Sequence, residues 1–123
     1  MLTKDALLAK GKRRMAKVEV DGLGEISCRS LSEAEWSQYQ RDSIDLKTGQ
    51  VTPRGLATAK ARLIALCVCD ENGERVFGNG DLAAINEMDA KVVAALHAAC
   101  EQHCGVNEAA AKNFETTDAD SSP

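Results

Sequence analysis

The chain has 123 residues, 44% of them hydrophobic but only 3% aromatic, with five cysteines and a formal charge of −4. That length suits one ordinary domain, and no apolar run is long enough for a bilayer span or the core of a secretory leader, so neither is expected. A core of small aliphatic side chains buries less area per residue than one with aromatics, so modest stability and some self-association are expected.

The charge is uneven. Residues 1–17 sum to +5 through Lys4, Lys10, Lys12, Arg13, Arg14 and Lys17 against Asp5, which leaves −9 on the remainder. Leu2, Leu7, Leu8 and Met15 sketch an amphipathic stretch, but Gly11 and the basic cluster weaken it, so residues 1–16 read as a flexible basic arm. The period then changes to two. Val18 and Val20 alternate with Glu19 and Asp21, and Ile26 and Cys28 follow beyond Asp21-Gly22, a hairpin signal over about 17–30. Gly24 breaks the alternation and predicts a bulge. A lone hairpin is marginal in water, so helices must cover its apolar face.

Ser32-Glu33-Ala34-Glu35 is a capping box, opening a helix over about 33–42 that carries Trp36 and Tyr39. Thr52-Pro53 starts a second helix, about 55–67, with Leu56, Ala59, Leu63 and Leu66 at helical spacing and Lys60 and Arg62 off the stripe. Its apolar end, Leu66-Cys67-Val68-Cys69, is equally compatible with a buried strand, and Arg75-Val76-Phe77 can pair back across the turn at Asp70–Gly73. Asp81 is expected to cap a short helix over about 82–87, and Asp89 a longer one over 89–104 that Gly105 stops. After Phe114 the sequence is acidic with no apolar residue beyond Ala119, and residues 107–123 are expected to form a mostly disordered tail. The fold class is α+β: a hairpin packed on a small set of helices, one domain over 17–106.

Chemistry is hard to find. Cys67, Cys69, His97, Cys100 and Cys104 invite a zinc reading, yet Cys-x-Cys after an apolar run is not a zinc knuckle, so core thiols and no metal are expected. Both histidines share a mostly apolar helix face with Cys100 and Cys104, a poor setting for a thiolate nucleophile. Gly78-Asn79-Gly80 is too short to cradle a phosphate, and Asp70, Glu71 and Glu74 miss the spacing of a calcium loop. No catalytic residue and no cofactor is expected.

Three segments carry a resemblance: Gly22–Ser32, a short strand leading into the capped helix; Leu63–Gly73, a core helix ending at an acidic turn and followed by Val76-Phe77; and Gly105-Val106 with Glu108–Phe114 after the last helix. In this order, over about residues 18–114, the chain resembles the tail assembly chaperones of long-tailed bacteriophages and prophages; its cysteine load departs from that pattern. The resemblance implies a non-enzymatic protein of the host cytoplasm that keeps the tape measure protein soluble and helps tail tube subunits assemble around it. It also implies a longer frameshifted product; Ala111-Lys112-Asn113 is encodable as an adenine-rich slippery run. A helical, apolar client calls for a groove or edge, and the expected surface is Trp36, Tyr39, Leu56, Lys60 and Leu63, with closure of the core as the other role for the two aromatics. Two further classes stay open: a nucleic-acid-associated regulatory module using basic residues 10–17, disfavoured by the absence of nearby aromatics for stacking bases, and a zinc-binding adaptor using the cysteines.

Overall fold

The computed structural model describes residues 2–105. Its element order is α1 (Lys4–Lys10), β1 (Met15–Val20), β2 (Gly24–Arg29), α2 (Glu33–Ser43), α3 (Pro53–Cys67), β3 (Val68–Cys69), α4 (Leu82–Asn86) and α5 (Ala90–His103), with a 3-10 turn at Asn79–Asp81 before α4. The three strands form one antiparallel sheet in the order β1-β2-β3. The expected α+β class, with an N-terminal hairpin against helices, is borne out. The acidic tail and the Ala111-Lys112-Asn113 run lie outside the described residues.

The hairpin turns at Asp21-Gly22 as expected, but with three loop residues: Val20 pairs with Gly24, and Leu23 N–H donates to Val20 O at 3.0 Å. Both Gly22 and Gly24 sit at φ 86°, where a side chain is strained, so the two glycines together close the turn. The register sets Ala16, Val18 and Val20 against Cys28, Ile26 and Gly24, and the more buried residues of β1 are these even-numbered ones. Pairing begins earlier than the pattern suggested. Arg14 N–H donates to Ser30 Oγ at 2.7 Å and Ser30 N–H returns a bond to Arg14 O at 2.8 Å, so the end of the basic arm belongs to the sheet. Upstream, Thr3 Oγ1 accepts from Ala6 N–H, with Asp5 in the first turn and Lys10 in the last, which suits the helix dipole and gives α1. The flexible arm expected over 1–16 is thus a short helix, a linker and the first residues of β1. α1 buries none of its own residues.

Of the caps, Ser32 and Glu35 form the reciprocal box, Thr52 Oγ1 accepts from Gly55 N–H, and Asp89 accepts from Lys91 N–H. Asp81 does otherwise: its carboxylate turns back to Gly78 N–H at 2.7 Å and closes the 3-10 turn rather than capping α4. The apolar end of α3 takes both of its possible forms in succession, helix to Cys67 and then β3, with Cys69 bridged to Arg75.

α3 is the centre of the molecule. Ala61 through Ala65 and Cys67 are buried, and Ile64, Ile85, Cys28, Cys67, Cys100 and Cys104 are the largest side chains fully removed from solvent. Among the described residues, α2, α4 and α5 all pack on α3, while α5 also lies against the hairpin. Where α3 starts, Gly55 presses on the end of α2: a Cβ there would overlap the Ser43 carbonyl and Cα. In an open helix, glycine to alanine stabilises by up to about 1 kcal/mol. Here Gly55→Ala is expected to lower stability by about 1–3 kcal/mol, because backbone and not a yielding side chain occupies the space. Urea unfolding measures the sign.

Candidate partner-binding site

The expected surface splits in two. On α2, Trp36 and Tyr39 stack with ring centroids 5.5 Å apart and planes within 15°. The spacing of three residues puts both rings on one helix face. Tyr39 packs on the core, whereas Trp36 is half-buried and is not among the side chains packed on it. On α3, Leu56 is 73% exposed and Lys60 also faces solvent, but Leu63 is only 3% exposed. Leu63 therefore belongs to the core, not to a partner-facing surface. The helical stripe containing it was read correctly as apolar; its outward end is Leu56, one turn into the helix.

Sequence periodicity missed what holds this region together. Arg62, 8% exposed, lies across the α2–α3 junction with no carboxylate partner among its hydrogen bonds. Nη1 donates to Tyr39 O at 2.8 Å, Nη2 to Gly55 O at 2.8 Å and Ser43 Oγ at 2.9 Å, and Nε to Thr58 Oγ1 at 3.0 Å. The guanidinium also sits 4.8 Å over the Tyr39 ring. Carbonyls near the C-terminal end of α2 supply the negative potential that an ion pair would otherwise provide. Burial pushes the Tyr39 hydroxyl above its ordinary range, and Arg62 pulls the other way. The only signal in the sequence was a charge one position off an apolar stripe.

A groove of about 420 Å³ runs beside this junction, between Glu35, Gln38 and Tyr39 on α2, Ala65 and Leu66 on α3, and Arg75. A second, of about 480 Å³, is bounded by Ile26, Val68, Val76, Phe77 and Met88, with Glu25, Asp70 and Glu71 among its polar lining. Val76 and Leu23, also on its wall, are exposed apolar side chains that the pattern had assigned only to turns and strands. Leu46 and Val51, 75% and 62% exposed, lie on the connection just ahead of Leu56.

The cysteines are all free and buried. Cys28, Cys67, Cys100 and Cys104, brought in by β2, α3, α5 and the residue that caps α5, lie together in the core. The neighbouring thiols and burial hold the Cys100 proton on firmly; burial raises Cys69 and pushes Cys104 up to about 11. Thiols raised in this way are poor nucleophiles, whereas the neighbouring Cys100 pulls Cys28 the other way, below the ordinary thiol range, against the effect of burial. Of the residues weighed as zinc ligands, Cys67 touches Cys100, while His97 lies apart with Glu101 and Lys60 as its charged neighbours. Among the described residues no three His, Cys, Asp or Glu side chains are placed to hold a metal ion.

The basic segment is partly engaged by its own chain. Arg13 pairs with Glu35 at 3.2 Å, and Arg14 Nη1 donates to His103 O at 3.3 Å. Glu35 in addition accepts from Arg29 at 2.9 Å and from Ser32 N–H at 3.0 Å, so one carboxylate joins the arm, β2 and the start of α2. No helix among the described residues is long and apolar enough to cross a membrane.

The chain is thus a small α+β domain with surface grooves edged by exposed apolar residues. No family model matches the sequence, and no curated protein matches it either. In fold the chain is similar to the solved tail assembly chaperone of bacteriophage HK97, with a TM-score of 0.57 and 18% sequence identity over 74% of this chain and 85% of that one. The fold implied by the sequence resemblance is therefore borne out.

Two outcomes test the site's physics. Arg62→Ala is expected to cost about 2–3 kcal/mol of unfolding free energy, because buried carbonyls lose a donor, and Arg62→Lys should not restore it, since an ammonium cannot span four acceptors. Denaturant titration checks both. Burial lowers the pKa of His97 below 6.5, with Glu101 opposing and Lys60 assisting. The unfolded chain then takes up the proton first, so the native state keeps its full stability above pH 6.5 and loses some as pH falls from there to the folded value. His97→Gln should flatten that part of the stability–pH curve.

Proposed function

We propose that this protein is a phage tail assembly chaperone, a non-catalytic holder for the tape measure protein in the host cytoplasm. The observation that carries the reading is the fold shared with the HK97 tail assembly chaperone. The chemistry of the surface supports it. The stacked Trp36–Tyr39 pair and the exposed Leu46, Val51 and Leu56 offer apolar contact around the α2–α3 connection. An amphipathic client helix laid there would bury its apolar face. In this scheme Trp36 is the anchor, Leu56 extends the apolar strip, and Lys60 lies at its polar border. Contact with the tail tube protein would come through a longer, frameshifted product that shares this domain.

Co-expression with the tape measure protein encoded nearby tests the role: the client should stay soluble only when this chain is present. A client equally insoluble with and without it would remove the proposal. For the surface, Trp36→Ala should leave the thermal transition nearly unchanged and weaken client binding by roughly thirtyfold, the size of a truncated aromatic hot spot. Unchanged binding by that variant would move the client site elsewhere. Leu63→Ala, by contrast, should damage the fold.

A further inference from the structure

β1 is the outer strand of the sheet, and its pairing with β2 leaves the other edge open. Which backbone groups face that edge follows from the register. Ser30 N–H donates to Arg14 O, so Arg14 is in a hydrogen-bonded pair; two-residue alternation then turns the backbone groups of Ala16, Val18 and Val20 toward β2. Those of Met15, Lys17 and Glu19 point outward. The side chains of Lys17 and Glu19 are exposed and stand on the sheet face opposite Val18 and Val20.

We infer that this edge pairs with the same edge of a second copy of the chain, antiparallel and centred on Val18, to give a two-fold dimer with a continuous six-stranded sheet. The sequence of β1, Met-Ala-Lys-Val-Glu-Val, is self-complementary in that register alone of the neighbouring ones. Lys17 falls opposite the partner's Glu19, and by symmetry Glu19 opposite the partner's Lys17. Both are hydrogen-bonded positions, since both turn their backbone groups outward. Opposite charges facing one another across strands stabilise the pairing, and like charges oppose it. On the inner face Val18 meets the partner's Val18, and Ala16 the partner's Val20. Beside Val18 and Val20 runs a groove of about 300 Å³, lined on α5 by Ala95, Ala98 and Ala99 together with Gln102 and His103. The interface is isologous, the same patch serving both copies, so it closes at two and does not propagate into a fibre. The edge involves neither Trp36 nor Leu56, so it stands independently of the client reading.

Sedimentation equilibrium of the full chain over a range of concentrations tests it. The wild-type chain should show a monomer–dimer equilibrium. Lys17→Glu, which sets carboxylates opposite one another twice, should weaken the dimer by about tenfold or more, and Lys17→Glu combined with Glu19→Lys should restore it. Both residues are exposed, and circular dichroism of each variant confirms folding. Amide exchange at Lys17 and Glu19 should slow as concentration rises. A chain that is monomeric at every concentration, a dimer unmoved by Lys17→Glu, or a double variant as weak as the single one would each overturn the assignment.

Discussion

Everything in this fold hangs on how α3 is held at its two ends, because it is the element that α2, α4 and α5 pack on. Its start is fixed by a close approach that only glycine allows, with Gly55 against Ser43, and by Arg62, which reaches back from about two turns further along to bind both sides of the contact. Its finish is fixed by two other arginines. Arg75 Nε donates to Ala65 O at 2.8 Å and Arg29 Nε to Leu66 O at 3.2 Å, while Val68 N–H takes Ile64 O. The last carbonyls of a helix have no partner within it. Here they are met by cations from β2 and from the turn beyond β3, which both satisfies the carbonyls and suits the dipole. α5 is treated the same way by Arg14 at His103 O. Long-range guanidinium bonds thus replace much of what aromatic packing does in a core of this size.

That device explains what the sequence disclosed and what it hid. Local rules are written in neighbouring residues, and they worked: the Ser32–Glu35 box, Thr52-Pro53, Asp89 and Asp21-Gly22 each act within four positions of themselves. Asp81 was locally plausible as a cap, but its carboxylate accepts from Gly78 N–H and makes no capping bond to α4. Arg62, Arg29, Arg75 and Arg14 find their partners seven to eighty-nine residues away, and no periodicity reports that. A charged residue beside an apolar stripe reads as a solvated face; in this chain it is a clamp. The start of β1 was missed for a related reason, since Arg14 joins the sheet through Ser30 Oγ and not through any alternation of its own neighbours.

The candidate surface was legible to a similar degree. Trp36 and Tyr39 were visible as the sole tryptophan and tyrosine of the chain, three apart on one helix. Leu56 and Leu63 looked equivalent on the helical stripe, yet Leu56, in the first turn of α3, is exposed and Leu63, two turns on, is buried. The cysteines were legible too. Despite a spacing that invites a ligand reading they were expected as core thiols, and all five are buried, where they fill the centre as small apolar groups. Four of the six largest fully buried side chains are cysteine, so the core is made of small units.

A core of small units has a consequence for the surface. With little volume to fill, the domain cannot draw in all of its leucines and valines, and Leu7, Leu8, Leu46, Val51, Leu56 and Val76 remain outside. Scattered exposed apolar residues are ordinary. What distinguishes this chain is that Leu46 and Val51 share the α2–α3 connection and Leu56 follows in the first turn of α3, on a helix pair bridged by a buried arginine that does not draw on those side chains. The frame is therefore free to keep its shape while the apolar residues engage something else. A holder for a long helical client has that requirement: affinity must come from residues that the fold can spare.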